Sequence, residues 1–413
     1  MRVGSGRVRI AAIALVGAAS LALAGCSSSD SGGGSDSDGA ASTVDLGTPN
    51  KATGSPIKIG SLGQESDLNK DQRILGVRAT AAYMNEYLGG INGHVIELDE
   101  CSTGDTPAGG TACGVQFAKN GDAAVIAANA SQAGSVYAAQ GDTPFVTSIT
   151  AEVDILGSDH AFIMSNPLGL GSASIAIAQD EGATTGAIVM PDLPTTTGPV
   201  KDLSQPLYDA AGIELLIVPI SLQTADPTAQ IQQALNDGAD LFTLFGDSTF
   251  VTTALRSLRQ AGYEGKVITQ LSSFPEDQVA NIPGGLKDVV TLTSVDKNPD
   301  NPENELYHAV IEKFGDGADA ESDFVSDAYQ TLLALGAGVG LTEDATADAA
   351  GVNEAMLSMS RPVVLPLSGG MTFQCGAGKT FLPAPCVGTV LKSVLDEKGV
   401  PVEQEVLSSA DAS

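Results

Sequence analysis

The residues of this chain to weigh first for chemistry are three histidines, five cysteines and a few glycine-rich stretches. His94, His160 and His308 lie far apart, and neither HExxH nor GxSxG occurs. The sequence therefore signals neither a zinc-bound water nor a serine nucleophile on a strained elbow. Gly376-Ala377-Gly378-Lys379-Thr380 has the look of the end of a phosphate-binding loop. That motif needs a glycine five residues before Gly378, and Phe373 stands there. Gly169-Leu170-Gly171 followed by Ser174 is a broken GxGxxG, and glycines that open a helix require no dinucleotide. Asp36-Ser37-Asp38-Gly39 lacks the downstream glutamate of a calcium loop and reads as solvated linker. No enzyme activity, cofactor or metal is expected from these residues.

Four cysteines, Cys101, Cys113, Cys375 and Cys386, permit three pairings. Their short spacings favour Cys101 with Cys113 and Cys375 with Cys386, each loop closure worth roughly 2–3 kcal/mol. A zinc site is the rival, but neither pair has CxxC spacing and no histidine lies nearby. Disulfides point to export, and the amino terminus agrees. Arg2, Arg7 and Arg9 precede the apolar run Ile10–Ala24, which is shorter than the span of about 20 residues a membrane helix needs. Leu23-Ala24-Gly25-Cys26 then resembles the lipobox of bacterial lipoproteins, in which cleavage precedes an acylated cysteine. Residues 1–25 read as that signal peptide and Cys26 as the site of acylation, with palmitate among the expected chains. Residues 26–55, rich in Ser, Gly and Asp, read as a flexible tether, and 408–413 as a tail.

Composition narrows the rest. The 413 residues carry 20 basic and 50 acidic side chains, a formal charge of −30, which argues against nucleic acid as a partner. The absence of tryptophan and the scarcity of aromatics weigh against a sugar-stacking or base-stacking module. The length favours two or three lobes. From Ile57 onward strand and helix signals alternate: Ile57–Leu62, a helix near Lys70–Tyr87, His94–Glu100, a helix near Gly110–Asn120, Ala123–Ala127, then a helix beginning near Ser131 and Phe145–Thr147. A second run has strands at Gly186–Met190, Glu214–Pro219, Leu241–Phe245 and Lys266–Gln270. The helices between them are expected near Val200–Ala211, Pro227–Asp237 and Thr249–Ala261. Helices follow near Pro302–Phe314 and Asp323–Gly340, and β-structure at Met371–Gln374, Val387–Leu395 and Val402–Leu407. Repeated βαβ units imply parallel sheets covered by helices, with ligands at the carboxyl ends of strands. The fold expected is α/β, with two doubly wound parallel-sheet lobes.

The segments Gly76-Val77-Arg78-Ala79-Thr80-Ala81-Ala82-Tyr83-Met84-Asn85, Gly89-Gly90-Ile91-Asn92-Gly93-His94-Val95-Ile96-Glu97-Leu98, Glu100–Asn120 and Arg259-Gln260-Ala261-Gly262-Tyr263 occur in the order of a known pattern. Together they resemble the solute-binding proteins of ABC importers, of the type I periplasmic fold, in the branched-chain amino-acid branch. The resemblance implies a hinge of three crossings. Lobe 1 would comprise residues 56–164 plus about 295–362, and lobe 2 residues 165–294 plus about 363–407. Carried over residue by residue, Ala130-Ser131-Gln132 matches the helix start that receives a ligand carboxylate, although Ser131 equally suits a helix cap. Ser148 and Thr150 match the neighbouring loop. Glu65 lies in a first loop that lacks the family's usual aromatic. Thr197 and Asp247 stand where the second lobe usually has tyrosine, and Asp247 either meets a ligand ammonium or caps the following helix. The family's ammonium-binding acid is replaced around Leu271-Ser272-Ser273.

The expected function is a monomeric binding protein, lipid-anchored on the outer face of the bacterial cytoplasmic membrane. It would capture a small polar solute, an amino acid or related compound, and deliver it to ABC permease subunits. The alternative is a ligand-sensing lipoprotein of the same fold acting on a regulatory partner. The anchoring half is directly testable. Cys26→Ala should move the protein out of the membrane fraction or leave its signal uncleaved, as shown by fractionation and intact mass, because acyl chains supply about 0.8 kcal/mol per buried methylene.

Overall fold

The computed structural model describes residues 44–150, 152–376 and 382–408; the expected signal peptide, Cys26 and most of the expected tether lie outside them. Its elements begin with β1 (Gly54–Gly63), α1 (Gln72–Tyr83), β2 (His94–Ser102), α2 (Pro107–Asn120) and β3 (Ala124–Ala127). After these come α3 (Ala133–Tyr137), β4 (Phe145–Thr147), α4 (Val153–Leu156) and β5 (Ala161–Ile163). Next are α5 (Pro167–Asp180), β6 (Thr185–Pro191), α6 (Pro194–Ala211), β7 (Glu214–Ile220) and α7 (Thr228–Asn236). They lead to β8 (Leu241–Leu244), α8 (Ser248–Gln260), β9 (Val267–Thr269), α9 (Glu276–Val279) and β10 (Val289–Thr293). The chain ends with α10 (Pro302–Phe314), α11 (Asp323–Val339), α12 (Ala349–Leu357), β11 (Val363–Val364), β12 (Thr372–Phe373), β13 (Thr389–Leu395) and β14 (Pro401–Ser408).

Local chemistry sets many of these boundaries. Thr106–Pro107, Asn166–Pro167 and Asn301–Pro302 each place a side-chain acceptor at the cap and proline at the first helical position. Gly121 and Gly212 end α2 and α6 in the left-handed conformation that glycine adopts without strain. α1 continues into one π-helical turn, Met84–Leu88. At Gly90, φ is +67° and a Cβ would stand 1.9 Å from the carbonyl oxygen of His94, so no other residue fits that turn.

The strands build two sheets, ordered β2-β1-β3-β4-β5 and β14-β13-β10-β9-β8-β6-β7. The first is wholly parallel; in the second β13 runs antiparallel to both its neighbours, β10 and β14, and the other pairs are parallel. The central strands β3, β8 and β10 are buried along their whole length, as strands covered by helices on both faces must be. Ile59, Ile126, Val146 and Phe162 pack toward α1 and α11, whereas Val125, Phe145 and Phe117 fill the opposite face. In the second sheet Phe242, Val189 and Val267 face α8, and Ile188, Leu241 and Ile268 face α5 and α6. Each lobe is thus a three-layer sandwich, the doubly wound arrangement expected. The chain leaves the first sheet after β5, returns after β10 to lay α10 and α11 against α1, and enters the second sheet again at β13.

Several expectations are corrected. α6 begins at Pro194 rather than near Val200, and includes Pro199 and Pro206. Seven residues apart, these prolines lie on one face, and each removes one backbone N–H from the helix. α7 begins one residue later than Asp226–Pro227 suggested, although Asp226 still accepts the Thr228 N–H. β10 and α12 were not anticipated. Leu365, Met371, Phe373 and Val387, expected in lobe 2, bury instead in the first core with Leu335, Val352 and Met356. The tether ends earlier than residue 55, since Ala52 is buried with its N–H on the Asn85 carbonyl and β1 starts at Gly54. Both disulfides join the expected partners, Cys101–Cys113 between β2 and α2 and Cys375–Cys386 beyond β12.

Asp122, between α2 and β3, is 1% exposed, and no donor from another residue reaches either carboxyl oxygen. Burial, with the Asp99 carboxylate of β2 beside it, pushes its carboxyl up to about 7, against the weaker pull of Lys58 on β1. The folded chain therefore keeps a proton that the unfolded chain loses near pH 4. Between those values the folded state binds more protons, so stability from this group falls as pH rises from about 4 to about 7. Asp122→Asn should flatten that decline and raise stability at pH 8 by on the order of 2–4 kcal/mol in denaturant titrations. An unchanged pH profile would contradict the burial argument.

Candidate functional site

In the first sheet β1 and β3 are neighbours whose following connections leave in opposite directions, which opens a crevice at their carboxyl ends. The second sheet has the same switch point between β6 and β8. At the first crevice Asp71, fully buried, organises the loop after β1. Its Oδ1 accepts the Arg73 N–H as the α1 cap, and its Oδ2 accepts the N–H groups of Gln64 and Glu65. Arg73 then reaches across the crevice. Its Nε and Nη2 both donate to the Asn129 carbonyl at 3.2 Å, and its guanidinium lies 3.6 Å over the Phe324 ring. Burial lowers its pKa, against Asp71, Asp327, Glu65 and Asp105, but guanidinium stays charged in any case.

Around this arginine the first-lobe expectations are partly brought together. Ser131 donates its N–H to Gln64 Oε1 at 3.3 Å and its hydroxyl to the Asp105 carboxylate, which also accepts Gln64 Nε2 at 3.2 Å. Ser131 is therefore not the helix cap: α3 starts at Ala133, with Gln132 at the cap position and its own Oε1 buried without a partner. The start of α3 is already occupied, because Gly134 donates its N–H to Glu152 Oε1 at 3.0 Å. Burial raises the Glu152 pKa and this bond lowers it. The Thr150 hydroxyl accepts the Glu152 N–H, so it shapes its own loop. Ser148 donates to Asp327 Oδ2 at 2.9 Å. Glu65 is exposed, its N–H on Asp71 and its carbonyl accepting the Ser102 hydroxyl.

The second-lobe residues bond only within their own lobe. Asp247 accepts the Phe250 N–H as the α8 cap, and Thr197 donates to the Pro191 carbonyl. The loop after β9 crosses between the lobes near the strand ends. Ser272 donates both its N–H and its hydroxyl to Asp323 at the start of α11, and Ser273 donates to the Glu321 carbonyl. Lys297 seals this junction with bonds to Ser273 and to the carbonyls of Ala320 and Glu321. Asp323 of α11 thus places a carboxylate beside Leu271-Ser272-Ser273.

Sequence reasoning missed Arg73, Asp105, Glu152, Asp323 and Asp327. One signal was present: Asp323 and Asp327 are four apart and share a helix face beside the strand ends. Burial and the Asp323 charge push the Asp327 carboxyl up to about 7, against the Ser148 hydrogen bond, Lys297 and Arg73. Arg73 and Asp327 attract each other yet form no ion pair, so the crevice holds a separated guanidinium and acid. No group of three or more potential metal ligands occurs among the described residues.

Both sheets thus carry the switch point beside which doubly wound α/β folds bind their ligands. The chain belongs to the periplasmic binding protein family, whose model matches residues 56–380. No curated protein matches it. Among solved structures, an extracellular ligand-binding receptor from Verminephrobacter eiseniae is 18% identical at TM-score 0.69, over 84% of this chain and all of that one. A fatty acid ABC transporter substrate-binding protein from Thermomonospora curvata is 16% identical at TM-score 0.69, over 89% and 96%. The leucine binding protein LivK of Thermotoga maritima is 14% identical at TM-score 0.65, over 86% and 99%. At such identities these likenesses establish the type I periplasmic binding fold. No helix among the described residues is long and apolar enough to cross a membrane.

Ser148 supplies a test of the crevice electrostatics. Its hydroxyl favours ionised Asp327, so Ser148→Ala should move the Asp327 titration midpoint above about 7, as read from the side-chain carboxyl carbon by NMR. A midpoint near 4 in the wild-type protein would show that the crevice is far more open to water than its packing implies.

Proposed function

We propose that this chain is an extracytoplasmic solute-binding protein, lipid-anchored through Cys26, that captures a small polar solute and passes it to the permease of an ABC importer. Binding, not catalysis, is its activity, and it acts as a monomer. Lobe 1 contributes Ser131, Gln132, Ser148, Thr150 and Glu65 to the cleft, together with Arg73 and Asp327; lobe 2 contributes Asp247 and Thr197. The observation that carries the reading is the meeting of both sheets at one helix end. Ser148 after β4 and Ser272 after β9 bond Asp327 and Asp323, one turn apart on α11. A solute lodged there touches both lobes and can bias their relative position by its differential affinity.

The chemistry of the crevice favours a solute with an acceptor end for Arg73 and a donor end for Asp327, as an amino acid or a related compound has. Structural neighbours named for leucine and for a fatty acid show that the fold accepts carboxylates of different bodies.

The test is ligand binding by protein purified in its native state. Against a panel of amino acids, amides, polyols and short organic acids, at least one compound should raise the melting temperature and compact the protein in solution scattering. Ser131→Ala should weaken that binding by about 1–3 kcal/mol. No stabilisation and no compaction across the panel would overturn the proposal.

A further inference from the structure

Away from the cleft, a hollow of about 380 Å³ opens on the first lobe between the end of α1, α10 and α11. Its volume falls in the range of small-molecule sites. Tyr83, Leu88, Leu306 and Leu333 give it apolar walls. Two polar groups enter it with unspent bonding capacity. Tyr329, 3% exposed, lines the hollow, whereas the Tyr83 hydroxyl is engaged by the Leu46 carbonyl. Glu303 spends one carboxylate oxygen on the Ser368 N–H at 3.2 Å and leaves the other without a bond. A half-satisfied carboxylate beside apolar walls attracts a cation, and the Tyr329 oxygen can accept a second bond from it.

We propose that this hollow is a second small-molecule site that takes a compact aromatic or alicyclic amine. The ring would lie against the leucines and Tyr83, and the ammonium would donate to Glu303 and to the Tyr329 oxygen. An alcohol of the same shape satisfies only the tyrosine. A carboxylate would meet Glu303 head-on in a chain whose formal charge is already −30.

The position of the hollow gives such a ligand leverage. Its floor is Pro366–Leu367. The Pro366 carbonyl accepts Gln330 Nε2, and the Leu367 carbonyl accepts the N–H of Asp296 on the segment that returns from the second sheet. Leu367 holds φ at +52°, a conformation leucine adopts only when its surroundings enforce it. Glu303 itself bonds the next residue, Ser368. An occupant that draws on Glu303 therefore acts on the brace of an interlobe crossing, and its binding should be coupled to binding in the cleft.

Phenethylamine, with 2-phenylethanol as its uncharged counterpart, tests this on the full mature chain. Titration followed by NMR and melting temperature should show saturable binding of the amine and changed hydrogen exchange at the Ser368 amide. The alcohol, and the amine with Glu303→Gln, should each bind about tenfold more weakly or worse. Ala337→Leu, which fills the hollow from α11, should abolish amine binding while the variant keeps its cooperative unfolding. The proposal is overturned if the amine shows no saturable effect, if amine and alcohol bind alike, or if Ala337→Leu binds the amine as the wild type does. If Ala337→Leu unfolds, the Glu303→Gln comparison decides alone.

Discussion

The fully buried amide of Gln330 fixes the relation between α11 and the chain segments that pass beside it. Its Nε2 donates to the carbonyls of Ser294 and Pro366 at 2.8 and 2.9 Å, and its Oε1 accepts the Ser294 hydroxyl at 3.1 Å. Every bonding position of the amide but one acceptor lone pair is spent, in surroundings where an unpaired polar group costs about 1–3 kcal/mol. An apolar residue of the same size would pack but would leave two carbonyls and a hydroxyl without partners. The amide thereby holds the returning segment near 294 and the later segment near 366 against one helix. Because that helix also carries Asp323, Phe324 and Asp327 in its first two turns, its placement determines where the stacked arginine and the crevice acid stand.

Much of this architecture was legible in the sequence, and the reasons are local. Pro302–Phe314 was readable to the residue because Asn301 caps and Pro302 opens it. The parallel strands were readable as short apolar runs between helical stretches, and the disulfides as short loops. What escaped depended on tertiary context. β10, Val289–Thr293, is an apolar run like the others, but it lies after a turn-rich stretch with no helix pattern to frame it. The first turn and a half of α6, Pro194–Pro199, escaped because Thr195-Thr196-Thr197-Gly198 carries no apolar helical period. Leu365, Met371, Phe373 and Val387 were expected in the second lobe because nothing local distinguishes side chains that bury against α11 and α12 from those that would bury against the second sheet.

The site was less legible than the fold. Resemblance pointed to loops after strands, and loops do hold the polar groups, but it could not show which hydrogen bonds the protein satisfies internally. Ser131 gives its hydroxyl to Asp105, Ser148 gives its hydroxyl to Asp327, and Gly134 gives its N–H to Glu152. A ligand must therefore exchange with bonds already made instead of filling vacant ones. Exchange lowers the net gain of each contact, yet it leaves few polar groups of the crevice unpaired when no ligand is bound. Arg73 follows the same logic. Asn129 and Phe324 hold it in place, so little side-chain entropy remains to be lost on binding.

The bonds around the three crossings also limit how one lobe can turn against the other. The first and third are stitched together by backbone bonds, Ile163 N–H to the Ala384 carbonyl and Cys386 N–H to the Ile163 carbonyl. That stitching ends at Val387–Gly388, where Gly388 has open space around its α-carbon and β13 has not yet begun. The second crossing is held on both sides at a single residue. Asp296 gives its N–H to Leu367, which packs with the first lobe's helices, and accepts Gln404 Nε2 of β14 in the second sheet. Rotation that preserved both bonds would have to pass close to Asp296. Motion further from that point would break a bond to a buried carboxylate, so the geometry favours a pivot through Asp296 and Gly388 over a shear of the two sheets.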